Sequence, residues 1–123
     1  MRLEVIGKRF SVCKVKDCSK VDLGEPFVFV SRTDQELSLV CPTASVPPNC
    51  VARDDGWSAM RVEGTLDFSL IGVLSRMTTA LAEASIGVFA ISTYDTDYLL
   101  VKEVQLDSAL DALAKAGFLR ASA

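Results

Sequence analysis

Between two apolar runs stands ISTYDTDYLLV, residues 91–101, in which hydroxyl and carboxylate side chains crowd a six-residue stretch. Ser92 and Thr93 are neutral hydrogen-bond partners, and Asp95 and Asp97 are anions. Together they suit an ammonium or another cationic group, because charge-assisted hydrogen bonds to carboxylates are the strong ones. The opposite pole lies in SLIGVL, which enters an amphipathic segment. A helix beginning there presents unpaired amides and partial positive charge to an anion. Gly72 lets the backbone approach a ligand closely, and the amides of Ile71, Gly72, Val73 and Leu74 are the donors on offer. A carboxylate pole and an ammonium pole describe an amino acid. A second reading stands beside this one: Asp and Thr also close hairpin turns by bonding local backbone.

Other chemistries are poorly supplied. The chain has no histidine, which removes the usual general base and the base partner of a Ser or Cys nucleophile. No GxSxG, P-loop, GxGxxG or HExxH is present. The four cysteines, Cys13, Cys18, Cys41 and Cys50, are spaced without a CxxC pair, so neither a zinc site nor a cofactor is expected. They read as reduced thiols, Cys13 and Cys41 in strand-like contexts and the other two in loops. The expectation is a protein that is not an enzyme.

Charge narrows the partners. Residues 1–64 carry nine basic and nine acidic side chains and residues 65–123 carry four and seven, so the second half holds the whole excess behind the net charge of −3. Phosphate-backbone binding needs clustered Lys and Arg, which argues against nucleic acid. The apolar runs are far shorter than the roughly 20 residues that span a bilayer, and MRLEVIGKRF has no extended apolar segment of the kind a secretion leader needs. A cytoplasmic chain without a membrane partner is expected.

The elements that must hold the polar knot follow from periodicity. RFSVCKV alternates as a half-buried strand does. FVFVSRTDQELSLV reads as a hairpin, with strands at 27–31 and 36–40 and a turn at 33–35. The prolines of PTASVPPNC exclude a long helix, ARDDGW reads as a turn at Gly56, and WSAMRVEG returns to strand character. Leu74, Met77, Leu81 and Ala84 then form a helical stripe with Gly87 as its terminator. VFAIS and YLLVK are strands. QLDSALDALAKAG is a second helix, with Leu106, Ala109, Leu110 and Leu113 on one face and Gly117 as its stop, and FLRA closes as a short strand.

Residues 57–123 therefore read β–α–β–β–α–β, an α+β order that suits a ferredoxin-like sheet with both helices on one face. Residues 1–56 form a strand-rich half that covers the other face or extends the sheet. Its hairpin echoes the later one, FVFVSRTDQELSLV against VFAISTYDTDYLLV, which reads either as a degenerate internal repeat whose first copy has lost its helices or as the chance resemblance of two hairpins.

With these segments in place, GWSAMRVEG, LDFSLIGVLSRMTTALAEASIGVFAISTYDTDYLLVKE and ELSLVCP resemble the small tandem ACT proteins of the aspartate-kinase-like, CASTOR-type ACT family. The similarity is dense over 57–117 and looser over 10–56. It implies an ACT domain at 57–123, a degenerate ACT-like half at 1–56, and a regulatory module that binds an amino acid or related metabolite between paired modules. The other function this order allows is dimerisation through exposed sheet edges, with a vestigial ligand site. The two are compatible where ligand binds at a homodimer interface.

Overall fold

The computed structural model describes residues 1–63 and 72–121. Its strands are β1 (Arg2–Val15), β2 (Phe29–Arg32), β3 (Leu37–Pro42), β4 (Cys50–Val62), β5 (Phe89–Ser92), β6 (Asp97–Lys102) and β7 (Leu119–Arg120), and its helices are α1 (Val73–Glu83) and α2 (Leu106–Lys115). The chain divides into two compact units, one of Met1–Gly7 with Ser58–Ala123 and one of Lys8–Trp57. The long strands β1 and β4 contribute residues to both.

In the first unit the strand order is β7–β1–β4–β6–β5. The β4–α1–β5–β6–α2–β7 succession is the α+β, ferredoxin-like order expected from the sequence. One strand comes from elsewhere: Arg2 and Leu3 of β1 pair in parallel with Leu119 and Arg120. The start of the chain thus stands between β7 and β4. RLEV alternates charged and apolar residues as a half-buried strand does, and Leu3 is fully buried while Glu4 is only partly so.

The core of this unit joins Leu3, Met60, Val62, Leu99 and Val101 of the sheet to Met77 and Leu81 of α1 and Ala109 and Leu113 of α2. Both helices bury one stripe. In α1 that stripe is Val73–Met77–Leu81, with Leu74 packed at its margin. Ala84, expected on the stripe, is exposed, because the helix ends one residue before it. Leu106 and Leu110 flank the buried stripe of α2.

Both helices end in the same hydrogen-bonded motif. Phe118 N–H donates to the Leu113 carbonyl at 2.9 Å and Gly117 N–H to that of Ala114 at 3.0 Å, with Gly117 at φ 95°. This is a Schellman termination with glycine in the left-handed position. In α1 the equivalent bonds are Ile86 to Leu81 at 2.9 Å and Ser85 to Ala82 at 3.0 Å. The left-handed residue there is Ser85, at φ 60°, and not the Gly87 that the sequence suggests. Burying Ile86 and Leu81 together in the core sets the register of the stop, and Ser85 takes the strained backbone conformation.

The second unit is the sheet β2–β3–β1–β4. The β1–β3 register sets Cys13 opposite Leu39 and Ser11 opposite Cys41, and Cys13, Val15, Leu37, Leu39 and Cys41 form its core. The strands of the first hairpin lie one to two residues later than the apolar run alone suggests. ARDDGW is a continuous part of β4 and not a turn. Gly56 adopts φ 84° inside the strand, a conformation open to glycine that redirects the backbone without ending it. Cys50 opens this strand instead of lying in a loop.

The two hairpins correspond element by element. Each piece of the first recurs at its own number plus 60: β2 at 29 and β5 at 89, β3 at 37 and β6 at 97, and 3₁₀ turns at 43 and 103. They part at the next residue. Leu106 has helical dihedrals (φ −58°, ψ −47°) and opens α2. Its counterpart Val46 precedes Pro47 and is extended (φ −61°, ψ 124°), because proline disfavours the helical region for the residue before it.

Candidate functional site

The β5–β6 turn is closed by Thr93. Its N–H donates to the Thr96 carbonyl at 2.8 Å, its hydroxyl donates to the same carbonyl at 2.9 Å, and it accepts from Thr96 N–H at 3.3 Å. Thr96 is buried, and its hydroxyl donates to the Val62 carbonyl at 3.2 Å. That bond ties the turn to the end of β4. Tyr94, at the tip, is 83% exposed.

A cleft of about 250 Å³ opens beside this turn, lined by Glu4, Arg61, Val62, Thr93, Asp95, Thr96 and Tyr98. Arg61 is the cation of this lining. Its Nε and Nη2 both stand 3.0 Å from Oε1 of Glu4, and Nη1 donates to the Tyr98 hydroxyl at 2.8 Å. The guanidinium carbon lies 5.7 Å from the centre of the Tyr98 ring, within cation–π range. The hydrogen bonds to Glu4 and then Tyr98 raise the Arg61 pKa above its already high ordinary value, so the group is a permanent cation. Asp95, in the same lining, is exposed. Among the described residues, the cleft therefore carries one cation and two carboxylates around a space suited to a small metabolite.

The sequence-derived residues divide. Thr93 and Asp95 line this cleft. Ser92 and Asp97 face each other in the β5–β6 register, and the Ser92 hydroxyl donates to Oδ1 of Asp97 at 2.5 Å, a cross-strand pair outside the cleft lining. Gly72 stands at φ 82° as the N-cap of α1, accepting from Arg76 N–H at 2.9 Å. Val73 is buried and Leu74 half-buried, and neither lines the cleft. Ile71 lies outside the described residues. Glu4, Arg61 and Tyr98 had not been singled out from the sequence. The available signal was Arg61 itself, a cation set between the apolar Met60 and Val62 of a strand.

Among the described residues, no group of three or more His, Cys, Asp or Glu side chains is placed to hold a metal ion. No helix among them is long and apolar enough to cross a membrane.

A curled, mostly antiparallel sheet with two helices on one face defines a ferredoxin-like α+β module. The ACT-domain family model matches residues 52–115, just over half of the 123 residues, and the chain belongs to the ACT-domain family. No curated protein matches its sequence. Among solved structures, a structural-genomics protein from Agobacterium tumefaciens is 31% identical, with TM-score 0.86 over 98% of this chain and 91% of that one. A Vibrio cholerae protein of unknown function is 21% identical, with TM-score 0.71 over 90% and 85%. The ligand-free regulatory subunit of aspartate kinase from Thermus thermophilus is 11% identical, with TM-score 0.65 over 93% and 95%, a likeness of fold.

Proposed function

We propose that this ACT domain is a non-catalytic regulatory module that binds a small zwitterionic metabolite, an amino acid or close relative. The observation carrying this reading is the cleft beside the β5–β6 turn, where Arg61, Glu4 and Asp95 set opposite charges around about 250 Å³. That volume lies just below the roughly 300–1,000 Å³ of drug-sized pockets and suits a molecule of amino-acid size. Membership of the ACT family and the likeness in fold to a regulatory subunit of aspartate kinase support a regulatory role. The proposed ligand contacts are Thr93 and Asp95, with Ser92 and Asp97 behind them on the same hairpin. The first-turn amides at Ile71, Gly72, Val73 and Leu74 are a candidate anion pole.

A native-state ligand raises the melting temperature. Thermal-shift measurements with each of the twenty amino acids at about 10 mM test the reading; a flat profile across the set refutes it.

A second reading, dimerisation, draws on the strand order. In the first unit β5 is a terminal strand, and an uncovered edge is a template for pairing with another copy. Light scattering across a concentration series tests it, and a monomer at the highest concentration rules it out.

A further inference from the structure

We infer that Arg61 receives the ligand's carboxylate, and that Glu4 is a built-in stand-in which a bound α-amino acid displaces. This inference rests on the ligand-binding reading above and supplies its recognition chemistry.

The first argument is the geometry of the Arg61–Glu4 pair. Guanidinium and carboxylate fit best as a fork, with two N–H groups on two oxygens. Here Nε and Nη2 converge on the single oxygen Oε1, at 3.0 Å each. A free carboxylate entering the cleft can offer both oxygens to the same edge and form the better pair.

The second argument is anchorage. Nη1 is held by the Tyr98 hydroxyl at 2.8 Å, and Tyr98 lies in β6 while Arg61 lies in β4. This hold keeps the guanidinium in place when Glu4 leaves. The Glu4 side chain, 43% exposed, has solvent to swing into.

The third argument is charge balance. Once Glu4 has swung out, Asp95 remains among the residues that line the cleft. An ammonium beside that carboxylate is favoured, and a lone anion there is repelled. The arrangement selects molecules with both poles: a carboxylate for Arg61 and an adjacent ammonium for Asp95. A carboxylic acid lacking the amino group meets a like charge with nothing to offset it, and an amine lacking the carboxylate leaves the Arg61–Glu4 pair intact.

The test uses the full chain and the twenty amino acids, with acetate and propionate as deaminated counterparts of glycine and alanine. Binding is read by thermal shift and then by calorimetric titration of the best binder. An exposed ion pair is worth about 0.2–1 kcal/mol, so Glu4→Gln, by removing the competitor, tightens the amino acid by roughly two- to five-fold at the upper part of that range. Arg61→Met weakens it at least about ten-fold, the scale of one lost charged partner. Arg61→Lys, which keeps the charge and loses the fork, also weakens it and serves if the methionine variant misfolds. Acetate and propionate bind none of the four proteins.

If wild type binds an amino acid and the arginine variants bind it equally well, Arg61 is not the pole and the inference falls while the ligand-binding reading stands. If Glu4→Gln binds no tighter than wild type, Glu4 is not a stand-in. If neither wild type nor Glu4→Gln binds any of the twenty, both readings fail together.

Discussion

Thr96 and Val62 are joined by a buried bond, the threonine hydroxyl donating to the valine carbonyl at 3.2 Å. Val62 is the last residue of β4 and Thr96 the last residue of the β5–β6 turn. The bond fixes the lip of the cleft, which bears Asp95, to the strand that carries Arg61. Thr96→Val keeps the shape and leaves the buried carbonyl without this donor. The expected cost is about 1–2 kcal/mol of unfolding free energy, measured by urea denaturation. Amino-acid binding is expected to weaken further than stability, because the two poles are no longer held at one spacing.

The two helix stops predict opposite responses to opposite changes. Ser85 is left-handed at φ 60° and Gly117 at φ 95°, and a side chain is penalised there where glycine is not. Ser85→Gly is expected to stabilise by about 0.5–1 kcal/mol, and Gly117→Ala to destabilise by a similar amount. A Cβ at Gly117 meets no heavy atom within 4 Å, so the second effect is conformational and not a clash. Thermal denaturation of the two single variants checks both signs.

The thiols predict both reactivity and pH dependence. Burial, followed by the neighbouring Cys50 and Cys41 thiols, pushes the Cys13 pKa up from 9.0 to about 12, and burial raises Cys41 as well. Cys18 is exposed. With a disulfide reagent at neutral pH, Cys18 is expected to react rapidly and Cys13 and Cys41 only on unfolding. The raised pKa also carries a sign. Between pH 9 and 12 the folded chain keeps the Cys13 proton and the unfolded chain releases it, so stability falls as pH rises through that window. Below pH 9 this group contributes no slope. Cys13→Ala is expected to lose stability less steeply than wild type above pH 9, in paired urea titrations.

The repeated turn gives a comparison between hairpins. Thr33 closes its turn as Thr93 does: its N–H donates to the Glu36 carbonyl at 2.9 Å, and its hydroxyl accepts from the amides of Gln35 and Glu36 at 3.1 Å each. Thr33→Val and Thr93→Val are expected to cost similar stability, about 0.5–1.5 kcal/mol each. Only the second is expected to reduce amino-acid binding. Equal loss of binding in both would detach the site from the β5–β6 turn.

Local pattern made much of this legible. The helical stripes, the hairpins and the glycine stop of α2 are short-range features, each set by residues within a few positions of one another. The polar knot was legible too, though in two parts: Thr93 and Thr96 close the turn, Ser92 and Asp97 pair across it, and Asp95 is left to face the cleft. What sequence reasoning missed depends on distance along the chain. Arg61 meets Glu4 across 57 positions and Tyr98 across 37, and no local periodicity announces such partners. Ser85 was missed for a related reason. Burial of Ile86 decided where α1 stopped, and that tertiary contact overrode the preference for glycine two residues later.

The parallel pairing of Arg2 with Leu119 also sets a timetable for the chain as it is made. Arg2 and Leu3 cannot complete their hydrogen bonding on one side until Leu119 and Arg120 are in place. The helices and the β5–β6 hairpin rest on local contacts and form early. The β1 edge meanwhile stays open, and open strand edges are where nascent chains stick to one another. Closing so long a loop also slows folding. A chain held short of β7 during synthesis is therefore expected to aggregate more readily than one that has reached it.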